Sequence, residues 1–173
     1  MNYPYKLLVV DIDGTLLGKD RTISAENREA VAKVCNLGIQ VSLSTGRTIQ
    51  ACLGIFSQLS LDGYHIFFDG ALVSNPNNSK EVYVQPLSQA VVKQAIEFAH
   101  SNDIYFELFS ATHYFVEREH WSAAIRRQFF GIEPTLVDFT KLGEKEKIIK
   151  AGLVASSPQE AEKVRSFCLH FND

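Results

Sequence analysis

Cysteine is scarce and odd in number: Cys35, Cys52 and Cys168 are scattered without CxxC spacing. That excludes a disulfide framework and suits a reducing cytoplasm. Long apolar runs are absent as well. No stretch approaches the roughly 18 residues needed to span a membrane. The opening segment Met1-Asn2-Tyr3-Pro4-Tyr5-Lys6 lacks a signal-peptide pattern. There is no basic cluster and the net charge is −3, so neither nucleic acid nor a membrane is expected as a partner. The five histidines, His65, His100, His113, His120 and His170, show no metal-ligand spacing. Repeats and low-complexity tracts are missing.

What is present is the composition of a soluble globular protein. Its 173 residues suffice for one large domain or two small ones. The apolar run Leu7-Leu8-Val9-Val10 reads as a strand buried on both faces, typical of a parallel sheet. Ser24 is a plausible N-cap and Gly38 a plausible stop for a helix over 25–37. A second strand over 39–43, a helix over 48–59 and a third strand over 64–68 complete a β-α-β-α-β pattern. This is the grammar of a Rossmann-like, doubly wound parallel sheet. Right-handed crossovers place its strand ends on one side.

The pattern changes after the turn cluster Asn75-Pro76-Asn77-Asn78-Ser79. A returning strand over 81–85 precedes Pro86. Helices are expected over 89–101, 121–130 and 158–171, and strands over 104–109, 113–117 and 148–154. Strands that follow one another without a helix imply antiparallel pairing, so an α+β unit follows the parallel one. The expected domains are residues 1–83 and 84–173. The aromatic residues Tyr105, Phe106, Phe109, Tyr114, Phe115 and Trp121 suit the core of the second unit better than a pocket.

Candidate chemistry gathers where the first strand stops, at Asp11-Ile12-Asp13-Gly14-Thr15. In open α/β sheets ligands bind just outside the carboxyl ends of the strands. A carboxylate there can attack phosphorus and form an aspartyl-phosphate. Two anions repel, so a divalent cation is needed; Mg²⁺ takes a few carboxylates and keeps waters and substrate oxygens. Asp13 could protonate the leaving oxygen and later activate water. Taken alone, Asp-x-Asp-Gly is also an ordinary polar turn. An EF-hand fits poorly, since the positions for its Gly and Glu hold Leu16 and Thr22. The second strand ends at Ser44-Thr45-Gly46-Arg47, a hydroxyl and an unhindered amide before an expected helix, a place suited to an anion.

These residues carry a resemblance. Asp11-Ile12-Asp13-Gly14-Thr15-Leu16-Leu17 resembles the first motif of the haloacid dehalogenase (HAD) superfamily. Ser44-Thr45-Gly46-Arg47 resembles the second motif of its Cof-type, class IIB phosphatases. The turn Asp69-Gly70-Ala71 resembles that group's Asn-Gly-Ala, with Asp69 a departure from the usual Asn. The stretch after it resembles a C2-type cap, and the similarity covers nearly the whole chain.

The resemblance implies a Mg²⁺-dependent phosphatase of small phosphorylated metabolites, sugar phosphates among them. It makes Asp11 the nucleophile and a metal ligand, and Asp13 the general acid/base, with its backbone carbonyl as a further metal ligand. Thr45, Gly46 and Arg47 become phosphate-binding residues, Arg47 having the alternative of a surface ion pair. A phosphotransferase with the same intermediate stays open.

The resemblance also implies a returning half with a lysine and a Gly-Asp-x-x-x-Asp turn. Neither is recognisable. Lys141, Lys145, Lys147 and Lys150 lie in cap sequence and read as solvated charges. A C-terminally truncated fragment is therefore expected, impaired in catalysis, with Leu7–Val10 as an exposed apolar edge open to self-association or a protein partner.

Overall fold

A computed structural model describes residues 4–142 and 146–171. The chain divides after Gln85 into two compact units.

In the first unit, β1 (Leu7–Asp11) leads through the acidic turn to α1 (Ala25–Asn36). Ser24 caps α1, its Oγ accepting the Asn27 N–H at 3.1 Å. Gly38 takes a φ of +77° just past the helix, where a Cβ would be strained. β2 (Gln40–Ser44) follows, with Val41, Ser42 and Leu43 buried.

The expected second helix departs from its pattern. Residues Gln50–Cys52 form a 3₁₀ turn, and α2 (Leu53–Leu59) becomes α-helical only at Leu53. The Thr48 hydroxyl accepts the Ala51 N–H at 3.2 Å and so starts the tighter turn. Thr45 and Gly46 thus lie in a loop and not at an α-helix N-terminus.

Three strands complete this sheet: β3 (His65–Phe67), β4 (Leu72–Ser74) and β5 (Glu81–Val84), in spatial order β1-β2-β3-β4-β5. β1, β2 and β3 run parallel, and β4 and β5 are antiparallel additions. This is the mixed α/β, Rossmann-like arrangement anticipated from the repeating pattern. β4 was not anticipated: its three residues before the Asn75 cluster are too few to show a period. β1 differs from its expectation of burial on both faces. It ends the sheet order, and Leu7, Leu8 and Val9 are exposed.

The second unit contains α3 (Gln89–Ser101), β6 (Tyr105–Phe109), β7 (Tyr114–Val116), α4 (Trp121–Phe130), β8 (Thr135–Leu136), β9 (Lys150–Val154) and α5 (Pro158–Cys168). Its sheet order is β8-β7-β6-β9. β6 pairs antiparallel with both neighbours, while β7 and β8 are parallel. Phe106, Leu108 and Phe115 pack with Ala95 and Ala99 of α3 as the core. Alternate residues on the opposite face, Tyr105, Glu107 and Phe109, are buried too. Trp121 is exposed and stands outside the core that its aromatic neighbours suggested.

Lys141 pairs with Asp138 at 3.0 Å. Lys145 lies outside the described residues, as do Met1–Tyr3. Among the described residues no helix is long and apolar enough to cross a membrane.

Candidate active site

The ladder between β1 and β2 ends with Asp11 opposite Ser44. One residue further on, the Thr45 N–H donates to the Ile66 carbonyl of β3 at 3.0 Å. Three parallel strands thus bring Asp11, Thr45 and the turn after Phe67 to one edge of the sheet.

Beyond β1 the chain turns sharply. The Ile12 carbonyl accepts N–H groups of Leu16 and Leu17 at 3.1 and 2.9 Å, and the Asp11 carbonyl accepts a second bond from Leu16 at 3.3 Å. Ile12, Leu16 and Leu17 are buried and anchor the turn, while Asp11, Asp13 and Thr15 are exposed. Gly14 takes a φ of +81° at the point where the chain reverses. The Thr15 hydroxyl donates to Asp11 Oδ2 at 3.0 Å, which fixes that carboxylate and directs Oδ1 elsewhere. Thr15 is a positioning residue that sequence reading passed over. Its only signal was a hydroxyl four residues after the acid.

The second strand's loop reaches the same turn. Arg47 Nε donates to Asp13 Oδ2 at 2.8 Å, and Nη2 to Oδ1 at 2.5 Å. Its Nη1 donates to the Ala51 carbonyl at 3.4 Å. The guanidinium is therefore shared between the acidic turn and its own loop. Thr45 Oγ1 accepts the Arg47 N–H at 3.2 Å, which orients the hydroxyl and keeps its proton for another acceptor. Thr45 is itself buried.

The third strand adds Asp69. Its N–H donates to the Thr45 carbonyl at 3.1 Å, and the preceding Phe68 N–H donates to the Arg47 carbonyl at 3.2 Å. A Cβ built on Gly46 would lie 2.6 and 2.9 Å from the two Asp69 carboxylate oxygens. A side chain at this position would have to displace that carboxylate. The sequence marked Asp69 as a departure, but its partner lies too far along the chain to be read.

Cys52, buried close by, contributes no nucleophile. Burial pushes its thiol up to about 12, and the nearby Arg47 only partly opposes this.

The profile of the haloacid dehalogenase-like hydrolases matches residues 8–172. The chain belongs to this family. Over 72 residues the HAD chain is 38% identical to a 5-amino-6-(5-phospho-D-ribitylamino)uracil phosphatase of Bacillus subtilis, covering 42% of this chain and 29% of that protein. Over 138 residues it is 25% identical to the HMP-PP phosphatase of Yersinia pestis, covering 80% of this chain and 50% of the relative.

Among solved structures, a HAD-like hydrolase from Bacteroides thetaiotaomicron superposes with a TM-score of 0.82 at 20% identity, over 97% of this chain and 65% of its own. A HAD subclass IIB sugar phosphatase superposes with a TM-score of 0.72 at 22% identity, over 93% of this chain and 62% of its own. These structural likenesses establish the HAD fold. The HAD chain covers 29–38% of the length of relatives from B. subtilis and Streptococcus pyogenes.

Among the described residues, no group of three or more His, Cys, Asp or Glu side chains could hold a metal ion. The candidate donors at the HAD strand ends are the carboxylate of Asp11 and the backbone carbonyl of Asp13, both hard oxygen ligands on exposed residues. That fits a cation such as Mg²⁺, which takes one or two carboxylates and fills its remaining positions with water and phosphate oxygens.

Proposed function

We propose that this chain carries the nucleophile side of a Mg²⁺-dependent phosphatase acting on small phosphorylated metabolites. The observation that carries the reading is the ladder register Asp11 opposite Ser44, which sets a carboxylate beside the Thr45–Gly46 loop. Phosphatase names among the relatives support it.

In this reading Asp11 Oδ1 attacks phosphorus while the bond from phosphorus to the leaving oxygen breaks, giving an aspartyl-phosphate. Asp13 gives its proton to the leaving oxygen. It then takes a proton from water as that water attacks phosphorus and returns Asp11 to a carboxylate. The Thr45 hydroxyl donates to a phosphoryl oxygen, and Gly46 lets that group approach the backbone.

Arg47 holds both oxygens of Asp13, so an acid/base role requires one of those bonds to open when substrate enters. Arg47 would then turn an N–H toward the phosphoryl group, which joins its two expected roles in one residue. A divalent cation would be held by the Asp11 carboxylate and the Asp13 backbone carbonyl. When bound, the cation would screen the phosphate charge. A sugar phosphate substrate, the C2-type cap role of residues 84–173 and a cytoplasmic location belong to the same proposal.

The test is phosphate release from a panel of phosphomonoesters, with and without Mg²⁺, comparing the wild type with Asp11→Asn. The expected outcome is Mg²⁺-dependent release that falls by at least about 10³-fold in the variant, as when other nucleophiles are removed. Measurable release that is unchanged in Asp11→Asn would sink the nucleophile assignment. Product analysis with added sugar acceptors separates hydrolysis from phosphotransfer.

A further inference from the structure

We infer that Asp69 sets the charge of the anion that the Thr45–Gly46 loop accepts, weakening dianionic phosphate more than monoanionic phosphoryl groups. This rests on the reading of that loop as the phosphoryl site.

The first support is distance. The Asp69 carboxylate lies over the Gly46 backbone, its carboxyl carbon 3.1 Å and its oxygens 2.6 and 2.9 Å from an ideal Cβ position. A phosphoryl group seated against Gly46 must therefore sit within a few ångströms of a second anion.

The second support is that the turn carrying the carboxylate is held there. Phe68 and Asp69 both adopt left-handed backbone, with φ of 52° and 57°, and Gly70 follows at 101°. Two non-glycine residues in that region in succession are costly, and such strain persists where the surroundings impose it. The bonds from Phe68 N–H to the Arg47 carbonyl and from Asp69 N–H to the Thr45 carbonyl fasten this turn to the loop at both ends.

The third support is the use of the nearby cation. Two of the Arg47 N–H groups bind Asp13, so its charge is already shared with a carboxylate. A like charge near 4–5 Å on an exposed surface weakens binding of a single negative charge by roughly five- to tenfold, and of a second charge by as much again. Asp69 therefore penalises a dianion by about the square of its effect on a monoanion.

The test titrates the 173-residue protein by calorimetry with two probes at about pH 8, without metal and again with Mg²⁺. Inorganic phosphate is mainly dianionic there, and dimethyl phosphate carries one charge. The proteins are the wild type, Asp69→Asn, Asp69→Gly and Thr45→Val. Asn and Gly both tolerate left-handed backbone, so thermal melts should remain close to the wild type.

The expected result is that both Asp69 variants bind inorganic phosphate about 25- to 100-fold more tightly, with a gain for dimethyl phosphate near the square root of that factor. Thr45→Val should lose both probes. Equal gains for the two probes would indicate a merely structural change and overturn the inference. So would phosphate binding that depends on Thr45 yet is unchanged in the Asp69 variants, which leaves the phosphoryl-site reading standing. No phosphate binding by any protein would overturn that reading and the inference with it.

Discussion

At the scale of single residues, the least ordinary side chain is a histidine away from the candidate chemistry. His65 is fully buried in β3, and its Nδ1 accepts the Leu43 N–H of β2 at 3.0 Å. The ring thus takes a donor that a ladder carbonyl would otherwise bond, and only Ser44 and Ile66 are paired between these strands. The accepting Nδ1 puts the proton on Nε2, which has no hydrogen-bond partner and lies among Phe56 and Phe67. Burial pushes the imidazole down to about 4, with Asp62 opposing weakly. The unfolded chain then binds a proton near the ordinary value of about 6.5, while the folded chain binds it only near 4. Between these values the unfolded state holds more protons, so stability rises with pH. The contribution is complete above the unfolded value and is lost as pH falls toward 4. Urea unfolding should show about 2–3 kcal/mol less stability near pH 4.5 than near pH 7 from this group. In His65→Asn the amide oxygen can accept the Leu43 N–H without titrating, and that part of the slope should vanish. Identical slopes in both proteins would refute the assignment.

At the scale of elements, α4 is fixed to its sheet by a buried charge. Glu107 of β6 is fully buried and accepts bonds from the Tyr114 hydroxyl at 2.7 Å, Ser122 Oγ at 2.9 Å and Arg126 Nε at 2.9 Å, with a further bond from Arg126 Nη2. The guanidinium also lies over the Phe109 and Tyr114 rings. Removing one partner strands the other, so Arg126→Leu should destabilise this unit by about 3–5 kcal/mol, and Glu107→Leu with Arg126→Leu should recover most of the loss. The single tryptophan, Trp121, lies on α4 and reports this unit's urea transition by fluorescence. A loss below about 1 kcal/mol in Arg126→Leu would show that the ion pair does not hold the helix. The helix itself was legible in the sequence, because its turns carry a local period and Gly131 ends it. β8 was not, since two residues hold no pattern, and neither was the 3₁₀ start before α2, which depends on one hydroxyl bond. The candidate site divides in the same way. Asp11, Asp13, Thr45 and Gly46 were legible because each pair is a contiguous turn at a strand end. The Asp13–Arg47 pair and the Asp69–Gly46 approach depend on side-chain directions across strands, and no local spacing encodes them.

At the scale of the whole molecule, the first unit leaves an apolar strand at its margin. β1 pairs with β2 on one side and ends the sheet order, so its other side faces no strand among the described residues. Leu7 is 53%, Leu8 39% and Val9 47% exposed, and they alternate between the two faces. An edge that combines free ladder groups with exposed aliphatic side chains is a template for pairing with another chain. The chain as it stands should therefore self-associate, and sedimentation velocity should show its mean mass rising with concentration. A lysine on the edge opposes pairing, because bringing two edges together would bury its charge. Leu7→Lys should shift the distribution toward monomer and change unfolding stability by no more than about 0.5 kcal/mol, since Leu7 is more than half exposed. Leu7 also lies at the opposite end of β1 from Asp11, so phosphate binding should be unaltered in the monomeric variant. A wild type that stays monomeric at every concentration would show that water satisfies this edge. Equal association in Leu7→Lys would place the contact on another surface.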